Sequence, residues 1–274
     1  MRASAQAATP APAWLAQART HAQRAPLAPR VPLWVAGYEV GSVEPQVLDG
    51  MAARGALPAP LQLQPDAAGW RVDCAPAHAT AALNALAHAL REDGACGPWR
   101  NEQLAVCHAG GERIGTIERG AVRPLGIVTH AVHLVGHAPD GSIWVQQRAF
   151  NKPNNPGMWD TLMGGMVSAQ DSLAQALARE TWEEAGLRVD DLRDVRHGGH
   201  VDFAQPAEEE DNHGYMRERI DWFSATVPDG MAPENQDGEV ERFERLPPDE
   251  VQARLARAEF TPEAALILAA YFGW

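Results

Sequence analysis

Ala82, Leu83, Leu86, Ala89 and Leu90 recur at helical spacing and predict a helix over residues 79–93 with one buried stripe. Before it, VPLWVAGYEVGSV (31–43) is β-rich with a glycine break. A short helix then ends at Gly55, and GWRVDCA from Gly69 reads as a strand. After it, strands alternate around Gly110-Gly111. From Leu125 the run GIVTHAVHLVGHA, a PDG turn at Pro139 and SIWVQQRAF make a hairpin. The stretch RVDDLRDVRHGGHVDFAQ reads as a short strand reversing at Gly198 and Gly199. A strand near Val227, another beyond Asp237 and a helix near Pro248 follow. The closing TPEAALILAAYFGW is an apolar helix that must pack on the sheet or on the first half of the chain. Met1 to Pro26 is Ala, Gln, Pro and Arg with one amphipathic turn at Trp14 and Leu15, a tail or docking helix.

The pattern changes character at GGMVSAQDSLAQALARETWEEAGL, Gly164 to Leu187. Here a glycine turn feeds a helix whose charged side carries Glu180, Glu183 and Glu184 at i, i+3 and i+4. Successive turns of about 5.4 Å put the three carboxylates on one face. Their repulsion calls for a cation, and an oxygen-only ligand set suits Mg²⁺ or Mn²⁺. The bland alternative is a solvated acidic face. Ala174, Leu177, Ala178 and Thr181 form the opposite, packed stripe. Ser168 to Asp171 has capping-box spacing, and Gly186 stands where the helix should stop. Arg179 is a positioner of its neighbouring carboxylates rather than a reactant.

Composition narrows the class. At 274 residues, 45% of them hydrophobic, the chain has room for two modest domains with buried cores. Lys plus Arg number 23 against 36 Asp plus Glu; the net charge of −13 disfavours nucleic-acid partners. A phosphate substrate then needs local cations. No run approaches the ~20 apolar residues of a membrane span. Cys74, Cys96 and Cys107 lack metal-ligand spacing and suggest reduced thiols in a cytoplasmic protein. Residues 1–38 hold arginines but no acid and could pass for a transit peptide. The Ala/Arg bias runs through the whole chain, which favours the cytoplasmic expectation.

With Gly165 as its first position, the segment matches the Nudix box at Arg179, Glu180, Glu183, Glu184, Gly186 and Leu187, and the chain resembles the Nudix hydrolases. Asp171, shorter than the usual Glu, lies at the helix start away from the cluster, and Thr181 replaces an aliphatic residue. WRNE at Trp99, IER at Ile117, LGI at Leu125, Arg148 with Lys152, PGMWD at Pro156 and DGEV at Asp237 narrow the resemblance. They point to the thiamine-pyrophosphokinase-related Nudix subgroup, which has an extra N-terminal domain.

The resemblance implies an α+β fold: a Nudix α/β/α sandwich with a mixed sheet, preceded by a small α+β domain. The expected divisions are 1–29 (tail or docking helix), 30–122 (N-terminal domain, substrate recognition) and 123–274 (Nudix hydrolase domain). The implied activity is metal-dependent cleavage of a diphosphate linkage in a small molecule. Thiamine diphosphate or its oxidised analogues, cut to the monophosphate, are the first expectation. ADP-ribose-like nucleotide sugars are the alternative, and a non-catalytic Nudix-fold binding module is a third reading. Glu180, Glu183 and Glu184 with a carbonyl of Gly164 or Gly165 would hold the metal, Mg²⁺ or Mn²⁺. Glu183, Glu184, Arg179 and Glu239 carry the catalytic expectation, Glu239 as general base with Glu241, Glu218 and the acids at 208–210 as substitutes. Arg148 and Lys152 are assigned to the diphosphate, and Trp99, Arg100 and Glu102 to a heteroaromatic ring system. Isopentenyl-diphosphate isomerase shares the approach to the box but needs a catalytic cysteine. Here no thiol lies near Met163 and all three cysteines precede residue 108. The partner expectations exclude nucleic acid and membrane and leave room for a homodimer.

Overall fold

A computed structural model of the chain describes residues 11–57, 62–66, 69–207 and 214–274. In chain order the elements are α1 (Ala13–His21), β1 (Val31–Val35), β2 (Tyr38–Val43), α2 (Pro45–Ala53), β3 (Gln62–Asp66), β4 (Gly69–Asp73), α3 (Ala79–Glu92), β5 (Gln103–Cys107), β6 (Arg113–Glu118), β7 (Val128–His137) and β8 (Ile143–Arg148). They continue with β9 (Trp159–Asp160), β10 (Met163–Met166), α4 (Leu173–Ala185), β11 (Arg193–Pro206), β12 (Tyr215–Thr226), β13 (Val240–Leu246), α5 (Pro248–Ala256) and α6 (Pro262–Tyr271).

Residues 31–127 build one core. The left-handed pair Ala36-Gly37 closes the β1–β2 hairpin, and β4 adds parallel to β1, giving a sheet ordered β2-β1-β4-β3. The apolar stripe of α3 supplies Leu83, Leu86 and Leu90, all fully buried with Leu33, Val35 and Val72. The β5–β6 hairpin turns at Gly110-Gly111 and leans on α3, where Asn84 donates to the Thr116 carbonyl at 3.0 Å.

The rest of the chain forms a mixed sheet ordered β11-β12-β7-β8-β13, with β10 on β7 and β9 on β8. β12 runs parallel to β7 and the other pairs are antiparallel. Val132 and Leu134 of β7 face α4, whereas Ala131 and Val135 face α5 and α6, so alternate residues of one strand serve two cores. This is the expected α+β sandwich of a mixed sheet between helices.

Three local expectations are corrected. β11 does not reverse at Gly198-Gly199 but continues through a bulge between His197 and Gly199. A Cβ on Gly198 would come 2.1 Å from the Trp222 ring, so the glycine makes room for a tryptophan on the next strand. The helix of the box is capped by Ser172 rather than Ser168: Ser172 and Gln175 form the reciprocal capping box, and Gly186 closes the other end in the left-handed conformation. Its buried face carries Ala176, Leu177, Thr181, Glu184 and Ala185, while Ala174 and Ala178 are exposed.

The N-terminal helix crosses to the far side of the molecule. Leu15 of α1 is buried in the core under α5 and α6, Arg19 donates to the Trp274 carbonyl at 3.0 Å, and Ala204 N–H donates to the Ala22 carbonyl at 2.8 Å.

Candidate active site

β10 and α4 bring the box together. Gly164 N–H donates to Glu184 Oε2 at 3.0 Å, and Gln146 Nε2 of β8 donates to the same oxygen at 2.8 Å. Glu184 is buried, and burial pushes its pKa up to about 8 against these two hydrogen bonds. Glu180 lies directly on the next residue of β10. A Cβ on Gly165 would fall 2.0 Å from Glu180 Cδ, which explains glycine at this position without any appeal to backbone conformation. Burial pushes Glu180 up to about 7, opposed by the Arg179 guanidinium.

Arg179 is the cation that the cluster calls for. Its Nη1 reaches Glu180 Oε1 at 2.8 Å and Glu183 Oε2 at 3.0 Å, its Nε reaches Asp171 Oδ2 at 2.9 Å, and its Nη2 donates to the Met166 carbonyl at 3.1 Å. Burial disfavours the charge on Arg179, but the carboxylates around it hold the guanidinium protonated above its ordinary range. Asp171 is therefore part of the cluster rather than apart from it, a correction to the sequence expectation. Among the described residues no three acidic, histidine or cysteine side chains converge as a ready-made metal site.

Beneath β10 runs a buried polar chain. His133 Nδ1 is 2.9 Å from Thr161 Oγ1, Thr161 donates to the Met163 carbonyl, and Asp160 accepts from Thr161 N–H and Thr261. A Cβ on Gly164 would meet the His133 ring at 2.3 Å, so this chain and the glycine set the height of the box strand. Burial keeps His133 neutral by lowering its pKa. The partnership of His133 with Thr161 could not be read from the sequence because the contact is long-range.

A cleft of roughly 640 Å³ opens over this surface. The box supplies Gly164, Gly165, Met166, Arg179, Glu180, Glu183 and Glu184 to its wall; the end of β8 supplies Arg148 and the loop after it Asn151 to Asn154; the turn before β13 supplies Asp237 to Glu239. The 30–127 region supplies Arg100, Glu102 and Arg119. Thus the structure gathers into one cleft the first-choice metal, catalytic and substrate residues named from the sequence, with the exception of Trp99. That ring packs against the first core, with the Arg91 guanidinium 4.5 Å from its centroid and His88 at 4.8 Å. Trp99 is not a wall of the cleft, and no aromatic ring lines it among the described residues. Arg119, Asn151, Asn154 and Asp237 were missed. Arg119 stood in the quoted IER, but only the hairpin pairing brings it beside Glu102.

Glu239 lies at the cleft in an ion pair with Lys152, whose ammonium sits against its carboxylate. Arg148 donates to the Asn154 carbonyl at 3.2 Å and lies 3.6 Å from Asp160. Of the substitutes for Glu239, Glu218 is buried against Arg123 at 3.0 Å and Thr129 at 2.7 Å, away from the cleft, and Glu241 is not among its lining. The acids at 208–210 lie outside the described residues.

Residues 129–269 match the family model described as the NUDIX domain, and the chain belongs to the Nudix family. Nudix hydrolase 20, chloroplastic, from Arabidopsis thaliana is 29% identical over 151 residues, 53% of this chain and 38% of that protein. An uncharacterized protein of Saccharomyces cerevisiae is 26% identical over 183 residues, 62% of this chain and 53% of that protein. The chain thus spans about half or less of the length of these curated relatives. A crystal structure of a Deinococcus radiodurans protein is similar with a TM-score of 0.49 and 22% identity, over 62% of this chain and 99% of that one.

Mg²⁺ or Mn²⁺ fits the donors present. All are oxygens, Glu180 and Glu184 both lie against β10, and the seat of Glu180 on Gly165 leaves no room for a side chain. Loading would require Glu180 and Glu183 to leave Arg179.

Proposed function

We propose that the protein is a metal-dependent hydrolase of small-molecule diphosphates. The observation that supports it most is the cleft itself: the box carboxylates on one wall, Arg148 and Lys152 beside them, and Glu239 at the rim. Such a wall matches a substrate with two anionic phosphates, since Arg binds phosphate with a bidentate fork and Lys with a point charge. When bound, a divalent cation polarises the diphosphate and makes water a better nucleophile near neutral pH.

The chain's own residues do the remainder. Arg179 orients Glu180 and Glu183, Gly164 and Gln146 hold Glu184, and Arg148 is held by the Asn154 carbonyl. In this reading Glu239 accepts the proton of the attacking water, and its ion pair with Lys152 at the cleft supports the role.

Thiamine diphosphate or its oxidised analogues, cut to the monophosphate, remain the proposed substrate, on the resemblance to the subgroup carried by WRNE, IER and DGEV. ADP-ribose-like nucleotide sugars are the second reading. The polar lining offers partners to sugar hydroxyls, which supports this reading; the lack of an aromatic ring among the described lining residues does not separate the two, since adenine and thiamine are both heteroaromatic.

Steady-state kcat/KM with Mg²⁺ on the full chain, for thiamine diphosphate, its oxidised analogues, ADP-ribose and NADH, tests both. A tenfold preference for ADP-ribose or NADH removes the thiamine reading. No turnover of any of them at any Mg²⁺ or Mn²⁺ concentration removes both substrate readings and favours the binding-module alternative.

A further inference from the structure

WRNE at 99–102 and IER at 117–119, apart in sequence, meet at the open end of the β5–β6 hairpin. Gln103 pairs with Glu118, and Arg119 N–H donates to the Glu102 carbonyl at 2.8 Å. The Glu118 side chain, 1% exposed, turns inward and accepts Arg100 N–H at 2.7 Å and Gly120 N–H at 3.4 Å. A buried carboxylate therefore pins both arms of the hairpin end, leaving Arg100, Glu102 and Arg119 to project into the cleft.

The hairpin is also fastened to the box. Ala169 N–H donates to the Gln103 carbonyl at 2.7 Å, and Arg113 donates to the Ala169 carbonyl. Ala169 lies between Gly165 and α4, so the wall carrying the two arginines is fixed relative to the wall carrying Glu180. Arg119 Nη1 lies 2.8 Å from Glu102 Oε2, which occupies one amino group of the fork. Arg100 is exposed, and among the described residues its guanidinium has no partner. Two cations thus stand against one acid on this wall, facing the acid-rich box.

We propose that Arg100 and Arg119 form an anion subsite contributed by the N-terminal half, which takes the phosphate of the substrate lying away from the box carboxylates. The inference rests on the diphosphate reading above and assigns that reading's second phosphate to named residues. A diphosphate held this way bridges the two walls, so the hairpin decides how the anhydride is presented. Glu102 orients the Arg119 fork and leaves its remaining N–H groups for the ligand. The competing account is that the Arg119–Glu102 pair only braces the hairpin.

Calorimetric titration of the full chain with methylene diphosphonate, a non-hydrolysable diphosphate, in Mg²⁺, separates the two accounts. Arg100→Ala and Arg119→Ala should each weaken binding about tenfold, the size of one charge-assisted hydrogen bond, with an unchanged melting temperature. Arg119→Lys should recover only part of the loss because it keeps the charge without the fork. Unchanged binding in both alanine variants, losses that track a fall in melting temperature, or no binding by the wild type overturns the subsite. If the wild type and its variants bind as expected but the wild type hydrolyses no diphosphate, the subsite stands and the hydrolase reading falls. If hydrolysis is intact and the variants bind normally, the reverse holds.

Discussion

Arg179 answers to four groups at once, and that shapes what single substitutions around it should do. Glu183→Gln and Glu184→Gln should each lower kcat by at least ~10²-fold with the fold retained, because on the proposed metal-dependent mechanism each removes a carboxylate oxygen available to the cation. Steady-state rates beside melting curves check this; near-normal turnover in both would remove the metal assignment. The same residues set a pH dependence. Burial raises Glu184 to about 8 and Glu180 to about 7, above their values in the unfolded chain. Between pH ~4.5 and ~8 the native state then binds more protons than the unfolded one, so the stability they contribute is lost as pH rises. Melting temperature in EDTA should fall from pH 6 to pH 9, and Mg²⁺ should offset the fall at the alkaline end. A flat profile in EDTA would mean that the two carboxylates ionise freely in the folded state. At this scale the sequence was informative about which acids matter and about Arg179 as their positioner, but not about the reach of that guanidinium. Arg179 was visible at i−4 to Glu183, but its fork to Asp171 depends on where the helix begins.

That starting point belongs to the scale of α4. Ser168 and Ser172 both open a Ser-x-x-polar pattern, and sequence alone does not rank them. The structure places Ser172 as the cap because Ser168 is used in a turn, with Asp171 N–H donating to its carbonyl at 3.1 Å. Ser172→Ala should cost about 1 kcal/mol, read from urea denaturation, whereas Ser168→Ala should cost less. Equal losses would mean the two caps exchange. Period and turn chemistry made α3, the β1–β2 and β7–β8 hairpins and α6 legible, since each is decided by residues close in sequence. β11 was not, because glycine at 198 answers to Trp222 across the ladder. Nor was the short β10, whose Met-Gly-Gly-Met text has no alternation; it is a strand because His133 and Glu184 hold it from either side.

Across the whole molecule the cleft is a joint product. The Nudix residues supply one wall, the hairpin of the N-terminal half supplies the other, and α1 secures the far side by burying Leu15 beside α6. Leu15→Ala should destabilise the protein by about 2–4 kcal/mol despite its distance from the cleft, since a fully buried leucine leaves a cavity. Chemical denaturation measures this, and a loss under ~1 kcal/mol would show that α1 rests on the surface. Trp14 and Leu15 hinted at docking in the sequence, but the identity of the dock could not be read there. The seat of α1 also sets a timetable. This helix leaves the ribosome roughly 240 residues before α6, which at ~5–20 residues per second is a delay of tens of seconds. Until then Leu15 lacks its partner while the 31–127 core can already fold, so the N-terminal strap closes after that core has formed, although it is made before it.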